Sequence, residues 1–185
     1  MKLNNLIFTA LAGFSIILAG CQNNDENEQH YDNKLFISAS NFTKEILFKA
    51  GDTNVETGLS VAIAKPEEHD IKVTMSPAPE LLSTYKLAYY DETAVLLSEE
   101  HYSMPETSTT IKSGSIVSPE LPIEFINTGE LDIKTTYVLP VTIKSVEGIG
   151  VLQSAKTYYY VFRGASLINA VSYTHLRAHE TLANL

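Results

Sequence analysis

One thiol stands in this chain, at Cys21, directly after Leu18, Ala19 and Gly20. It is the one side chain here able to carry a thioether. The small Ala19 and Gly20 let a peptidase approach the backbone just before it. Two other stretches, Glu67-Glu68-His69-Asp70 and Glu99-Glu100-His101, set carboxylates beside an imidazole. Those residue types serve acid–base pairs and ion sites. Both fall where the pattern predicts turns, and neither has the spacing of an EF-hand loop. A solvated acidic turn is the plainer reading. His175 and His179 are four apart, one helical turn, with Glu180 beside them. That spacing can ligate zinc, but no convincing third ligand lies near, so no metal and no cofactor is expected. A phosphate-cradling glycine loop and a Gly-x-Ser-x-Gly elbow are both absent from the sequence. Tyr158, Tyr159, Tyr160 and Phe162 alternate along a strand, so some rings should be core and some exposed. Exposed tyrosines can stack on sugar rings; Trp, the usual sugar platform, is absent.

The bulk properties narrow the field. The chain has 185 residues and a formal net charge of -9, with a pI near 5.0. No basic cluster exists to overcome repulsion from phosphate, so a nucleic-acid partner is excluded. About 165 residues follow the cysteine, enough for one domain with a real core. With Cys21 modified, no thiol remains for a disulfide, and the fold must stand on packing.

The N-terminus gives Cys21 its context. Lys2 precedes an apolar segment from Leu6 to Ala19, the pattern of a secretory signal. The segment is shorter than the ~20 residues a spanning helix needs. Leu18-Ala19-Gly20-Cys21 resembles the lipobox of bacterial lipoproteins. That resemblance implies a signal peptide over 1–20, cleavage before the cysteine and lipidation at Cys21. An ordinary signal peptide with a chance cysteine is the alternative. Two or more acyl chains hold a protein stably at a membrane, whereas one does not. Residues 21–33 are polar and acidic, including Asp25, Glu26 and Glu28. They read as a flexible tether, with a reach of about 40 Å. Acidic residues just after such a cysteine resemble the surface-export signal of Bacteroidetes lipoproteins, and a simple solvated spacer is the alternative. The expected location is the outer membrane, lipid-anchored and exposed at the cell surface.

From Lys34 the rhythm is β. Leu59, Val61 and Ile63 alternate with smaller residues, as do Ile71, Val73 and Met75, the period of a half-buried strand. The Pro66–Asp70 link predicts a hairpin between those two. Leu121, Ile123 and Phe125 repeat the pattern, and Leu139, Val141 and Ile143 lie within the clearest strand, Tyr137 to Val146. Pro140 argues against a central ladder position there, because it has no N–H. Between Pro79 and Tyr90, Leu81, Leu82, Tyr85 and Tyr89 recur at spacings of three and four, which predicts a short helix. It is expected across one end of the sheets. Seven to eight short strands at turn spacings predict an all-β sandwich over 34–164.

The order of motifs resembles a known family, the Bacteroidetes surface-lipoprotein domain of unknown function numbered seventeen thirty-five. Its carriers are Leu81-Leu82-Ser83-Thr84-Tyr85, Leu96-Leu97-Ser98-Glu99-Glu100-His101-Tyr102, Ile111-Lys112-Ser113-Gly114 and Tyr137-Val138-Leu139-Pro140-Val141. Lys86 stands where the family often has Asn, and Ser98 where it often has Pro. The resemblance implies an immunoglobulin-like sandwich and a non-catalytic module, commonly followed by a lectin-like, carbohydrate-binding or glycoside-hydrolase domain. It carries over no catalytic residue.

Val171 to Leu185 breaks the β pattern and closely resembles translated sequencing-adapter readthrough. On that reading residues 165–170 begin a linker to a missing domain, and 171–185 are non-native. Two functions then remain. One is a non-catalytic accessory or spacer module of a lipid-anchored surface protein in glycan capture or utilisation, whose partners are the membrane and either glycans or an outer-membrane transporter complex. The other is the N-terminal domain of a secreted glycoside hydrolase whose catalytic domain is missing.

Overall fold

The structure, a computed structural model, describes residues 32–165. Its longest strand is β10 (Tyr137–Val146), paired antiparallel with β12 (Thr157–Gly164). Leu139 lies opposite Tyr160 and Val141 opposite Tyr158. β-branched and aromatic side chains fit such a pleated surface well. Leu139, Val141, Tyr160 and Phe162 face the main core, while Val138, Tyr159 and Val161 face the other way, and all seven are buried.

Four more strands extend this pair into a six-stranded sheet. β2 (Thr43–Phe48) runs parallel to β12 along its free edge. On the other side β10 pairs with β5 (Ile71–Pro77), which pairs with β8 (Ser108–Ile111). The two-residue β6 (Val95–Leu96) lies beside the start of β10. A second sheet holds β3 (Val55–Leu59), β9 (Leu121–Phe125) and β7 (Tyr102–Ser103). β1 (Lys34–Ile37) joins β4 (Val61–Ala62) and β11 (Gly150–Val151) in a third.

The inner faces meet in one apolar core. Phe125 of β9 packs edge-on against Tyr160 and Phe162 of β12, with ring centroids 5.2 and 4.6 Å apart. Ile71, Val73 and Met75 fill the same core, as do Leu121 and Ile123. Burying a side chain of that size contributes about 1.5–3 kcal/mol. This is the all-β sandwich that the alternation predicts, with one short helix. Among the described residues eight strands have four or more residues, and four two-residue pieces complete the edges.

Helix α1 (Leu82–Tyr89) follows a single 3-10 turn at Pro79–Leu81. Proline's fixed φ suits the first turn of a helix. Contrary to the expectation, the helix does not lie across one end of the sheets. It lies on the outer face of the larger sheet, where Tyr85, Leu81 and Leu82 pack with Val138, Tyr159 and Val161. The apolar stripe was correctly placed in sequence; the second apolar face of β10 and β12 is what it covers. The same cover explains why Tyr158, Tyr159, Tyr160 and Phe162 are all buried, and not divided between core and solvent.

Two other expectations change. Leu59–Ile63 and Ile71–Met75 do not form a hairpin. β3 pairs with β9, β4 with β1, and β5 with β10 and β8. The link between them crosses from one layer to the other, so both apolar faces reach the core from opposite sides. Pro140 does sit within the central strand. It falls between the end of β6 pairing at Val138 and the start of β5 pairing at Val141. Its carbonyl still accepts the Ala78 N–H at 2.9 Å.

One buried hydroxyl stands out. Tyr160 Oη has no hydrogen-bond partner among the described residues, and burial pushes its phenol far above the usual tyrosine range. Thr57 lies near, and its hydroxyl accepts from Lys44 Nζ at 2.7 Å. An unmade buried hydrogen bond costs about 1–3 kcal/mol. Tyr160→Phe should therefore hold the unfolding free energy or raise it by up to about 1 kcal/mol, read from denaturant unfolding. A clear drop in midpoint would show that the hydroxyl is paired.

Candidate functional site

Leu18, Ala19, Gly20 and Cys21 lie outside the described residues, as do most of the tether and His175, His179 and Glu180. Among the described residues no group of three or more His, Cys, Asp and Glu side chains can hold a metal ion.

The two acidic stretches serve as turn fasteners. Asp70 accepts from Lys112 Nζ at 2.8 Å and from the Ser113 N–H at 2.9 Å. The Lys112 hydrogen bond, followed by that of Ser113, holds its carboxyl below the ordinary aspartate range. Glu67 accepts from Asn33 Nδ2 at 2.7 Å, and its carbonyl accepts the Gly114 N–H. The Glu67–Asp70 turn is thus bonded to the Lys112–Gly114 turn. Glu99–His101 forms one 3-10 turn, with His101 Nδ1 at 3.2 Å from the Ile126 carbonyl. Glu100 lies 3.8 Å from its other nitrogen.

Two concavities among the described residues carry polar side chains. The larger, about 440 Å³, lies over β3 and β9 and carries Glu56, Glu120 and Glu124. Glu56 is directly opposite Glu124, an unfavourable pairing of like charges; Asn54 Nδ2 donates to Glu124 at 2.9 Å. Gly58 sits beneath the Glu120 carboxylate, where a Cβ would clash with it.

The smaller, about 150 Å³, is a groove between α1 and the edge strand β2. Val161 lines it together with Tyr85, Tyr89, Thr43, Glu45 and Arg163. Three tyrosines pack beside it: Tyr85 stacks on Tyr89 at 4.8 Å and meets Tyr159 at 5.3 Å. Burial raises the Tyr85 phenol above its ordinary range, and Arg163 partly offsets this. Arg163 stands between two carboxylates, Asp91 at 3.6 Å and Glu45 at 3.8 Å. Those are ion-pair distances, too long for hydrogen bonds. Sequence reasoning missed this site. The period-two set Tyr159, Val161, Arg163 was visible, but the parallel pairing that brings Thr43 and Glu45 alongside joins distant segments.

Residues 31–150 match a family of N-terminal domains, and the chain belongs to that family. No curated protein matches the chain. Several solved structures share its fold. A candidate carbohydrate-binding protein from Bacteroides ovatus is 18% identical with a TM-score of 0.62, over 70% of this chain and 36% of its own. EndoBT-3987 from Bacteroides thetaiotaomicron, solved with a Man5GlcNAc product, is 19% identical with a TM-score of 0.59, over 70% of this chain and 30% of its own. A multidomain Bacteroides ovatus protein that includes DUF1735 is 21% identical with a TM-score of 0.51, over 69% and 42%. The chain therefore spans less than half the length of each.

The Asp70 fastening has a pH signature. A carboxyl whose folded pKa is depressed gives stability that is present above the unfolded pKa and lost as pH falls through the folded one. Asp70→Asn should thus be less stable than the parent near pH 7. That gap should close as pH drops below about 4. A gap that persists unchanged at pH 2 would show that Asp70 acts through its shape and not its charge.

Proposed function

We propose that residues 34–164 are a non-catalytic accessory module of a lipid-anchored, surface-exposed lipoprotein that takes part in glycan capture or utilisation. Membership in a family of N-terminal domains carries this reading. The fold shared with a candidate carbohydrate-binding protein and with an endoglycosidase supports the glycan context. Hydrolysing a glycosidic bond generally takes two carboxyl groups about 5–10 Å apart across the scissile bond. The Glu67 and Asp70 carboxylates and the His101 imidazole are spent on fastening loops. The family numbered seventeen thirty-five is the specific identity we favour, given the shared fold of a protein that includes it.

Anchoring through Cys21 rests on the Leu18-Ala19-Gly20-Cys21 run alone. It places the domain on a tether at the outer membrane, with a transporter complex or glycans as its partners. The second reading is the N-terminal domain of a secreted glycoside hydrolase. The fold likeness to EndoBT-3987, which covers 30% of that enzyme, favours it.

The test is a paired assay on the full chain. Incubation with polysaccharides and N-glycans should release no sugar, and labelled palmitate should enter the parent but not Cys21→Ala. Sugar release abolished by changing one Glu or Asp within 34–164 would overturn the non-catalytic reading. Equal labelling of Cys21→Ala would overturn the anchor.

A further inference from the structure

Tyr90 closes helix α1 in the left-handed conformation, with φ 54° and ψ 35°. Glycine or asparagine normally takes that position, because a Cβ there is strained. The backbone cap, Tyr90 N–H to the Lys86 carbonyl, needs no side chain at all. Yet the position holds a tyrosine that is 92% exposed. The ring contributes nothing to the core and costs backbone strain. Strain of this kind, held by the surrounding structure, is a pointer to function.

The strained residue stands between two that belong to the groove. Tyr89 lines it, and Asp91 faces Arg163 from its rim. Tyr89 is itself 42% exposed, braced from behind by Tyr85. Two adjacent phenol rings are thus presented at the end of a short helix. The Arg163 guanidinium lines the groove with Tyr89, held at 3.6 and 3.8 Å between two carboxylates. Its N–H fork is oriented by the two carboxylates and by the Tyr85 phenol, and neither carboxylate is close enough to take a hydrogen bond from it. Glu45 and Thr43 supply acceptors on the opposite wall.

We propose that this groove is a binding subsite for a single neutral sugar ring at the tip or within the run of an oligosaccharide. The inference rests on the glycan reading above and names its contact surface. Tyr89 and Tyr90 offer apolar faces to the C–H side of a pyranose. Arg163, Glu45 and Asp91 offer donors and acceptors to its hydroxyls. Two carboxylates against one guanidinium disfavour an anionic sugar. A volume of about 150 Å³ is well below that of a drug-sized pocket, so it suits one ring and leaves the rest of the chain in solvent. Affinity is accordingly weak for one domain and gains from repetition on a membrane surface.

The experiment titrates the full chain with Man5GlcNAc, maltohexaose and cellohexaose, read by calorimetry and by tyrosine emission, which no Trp obscures. At least one oligosaccharide should bind saturably. Tyr90→Gly and Arg163→Gln should each weaken it about tenfold or more. Tyr90→Gly should also unfold at an equal or higher denaturant midpoint, since glycine relieves the left-handed residue. Leu87→Ala, at an exposed position of the same helix outside the groove, should bind as the parent does. Absence of binding by all three sugars at millimolar concentration overturns the subsite. Binding that survives both groove variants overturns it as well. Neither result touches the accessory reading, which falls only to sugar release by the chain itself.

Discussion

Strands β10 and β12 are apolar on both faces, and most of the architecture answers that one constraint. A strand in a two-layer sandwich needs only one buried face. Here Leu139, Val141, Tyr160 and Phe162 enter the sandwich core, and Val138, Tyr159 and Val161 need a second cover. Helix α1 supplies it. An eight-residue helix has too few turns to persist alone in water. Its stability comes from Tyr85, 2% exposed, docked against Tyr159. Sheet and helix are therefore interdependent: the second apolar face would be wet without α1, and α1 would not hold without that face.

The groove is a by-product of the same packing. Helix α1 covers β10 and β12 but stops short of the edge strand β2, and the uncovered strip between them is lined by Val161, Glu45 and Thr43. Arg163, near the end of β12, lies on the same face as Tyr159 and Val161 by the period of the strand. Its charge is held there by Asp91 from the helix side and Glu45 from the strand side. Polar side chains at the boundary of an apolar cover are how a surface gains specific contacts without burying unpaired charge.

Much of this was legible in the sequence because short-range periodicity is a local signal. Ile71, Val73 and Met75 alternate, and all three are buried; so do Leu121, Ile123 and Phe125. The spacing of Leu81, Leu82, Tyr85 and Tyr89 located the helix. The acidic stretches carry turn composition, and Asp70 fastens one of the turns. What stayed hidden is non-local. The parallel pairing of β2 with β12 brings Glu45 beside Val161 across more than a hundred residues. Nothing near Tyr159 announces that its face is covered by a helix from elsewhere in the chain. Pro140 misled for a related reason: a strand that changes partners midway leaves room for a residue without an N–H.

Two-sided burial is tested most directly by adjacent residues on opposite faces of β10. Denaturant unfolding of Val138→Ala and Leu139→Ala, with m-values compared to the parent, reads each face separately. Burial on both faces predicts losses of about 1.5–3 kcal/mol for Val138→Ala and about 2–5 kcal/mol for Leu139→Ala. A Val138→Ala chain within about 0.5 kcal/mol of the parent, beside a strongly destabilised Leu139→Ala, would mean that the outer face is wet and that α1 does not hold the sheet.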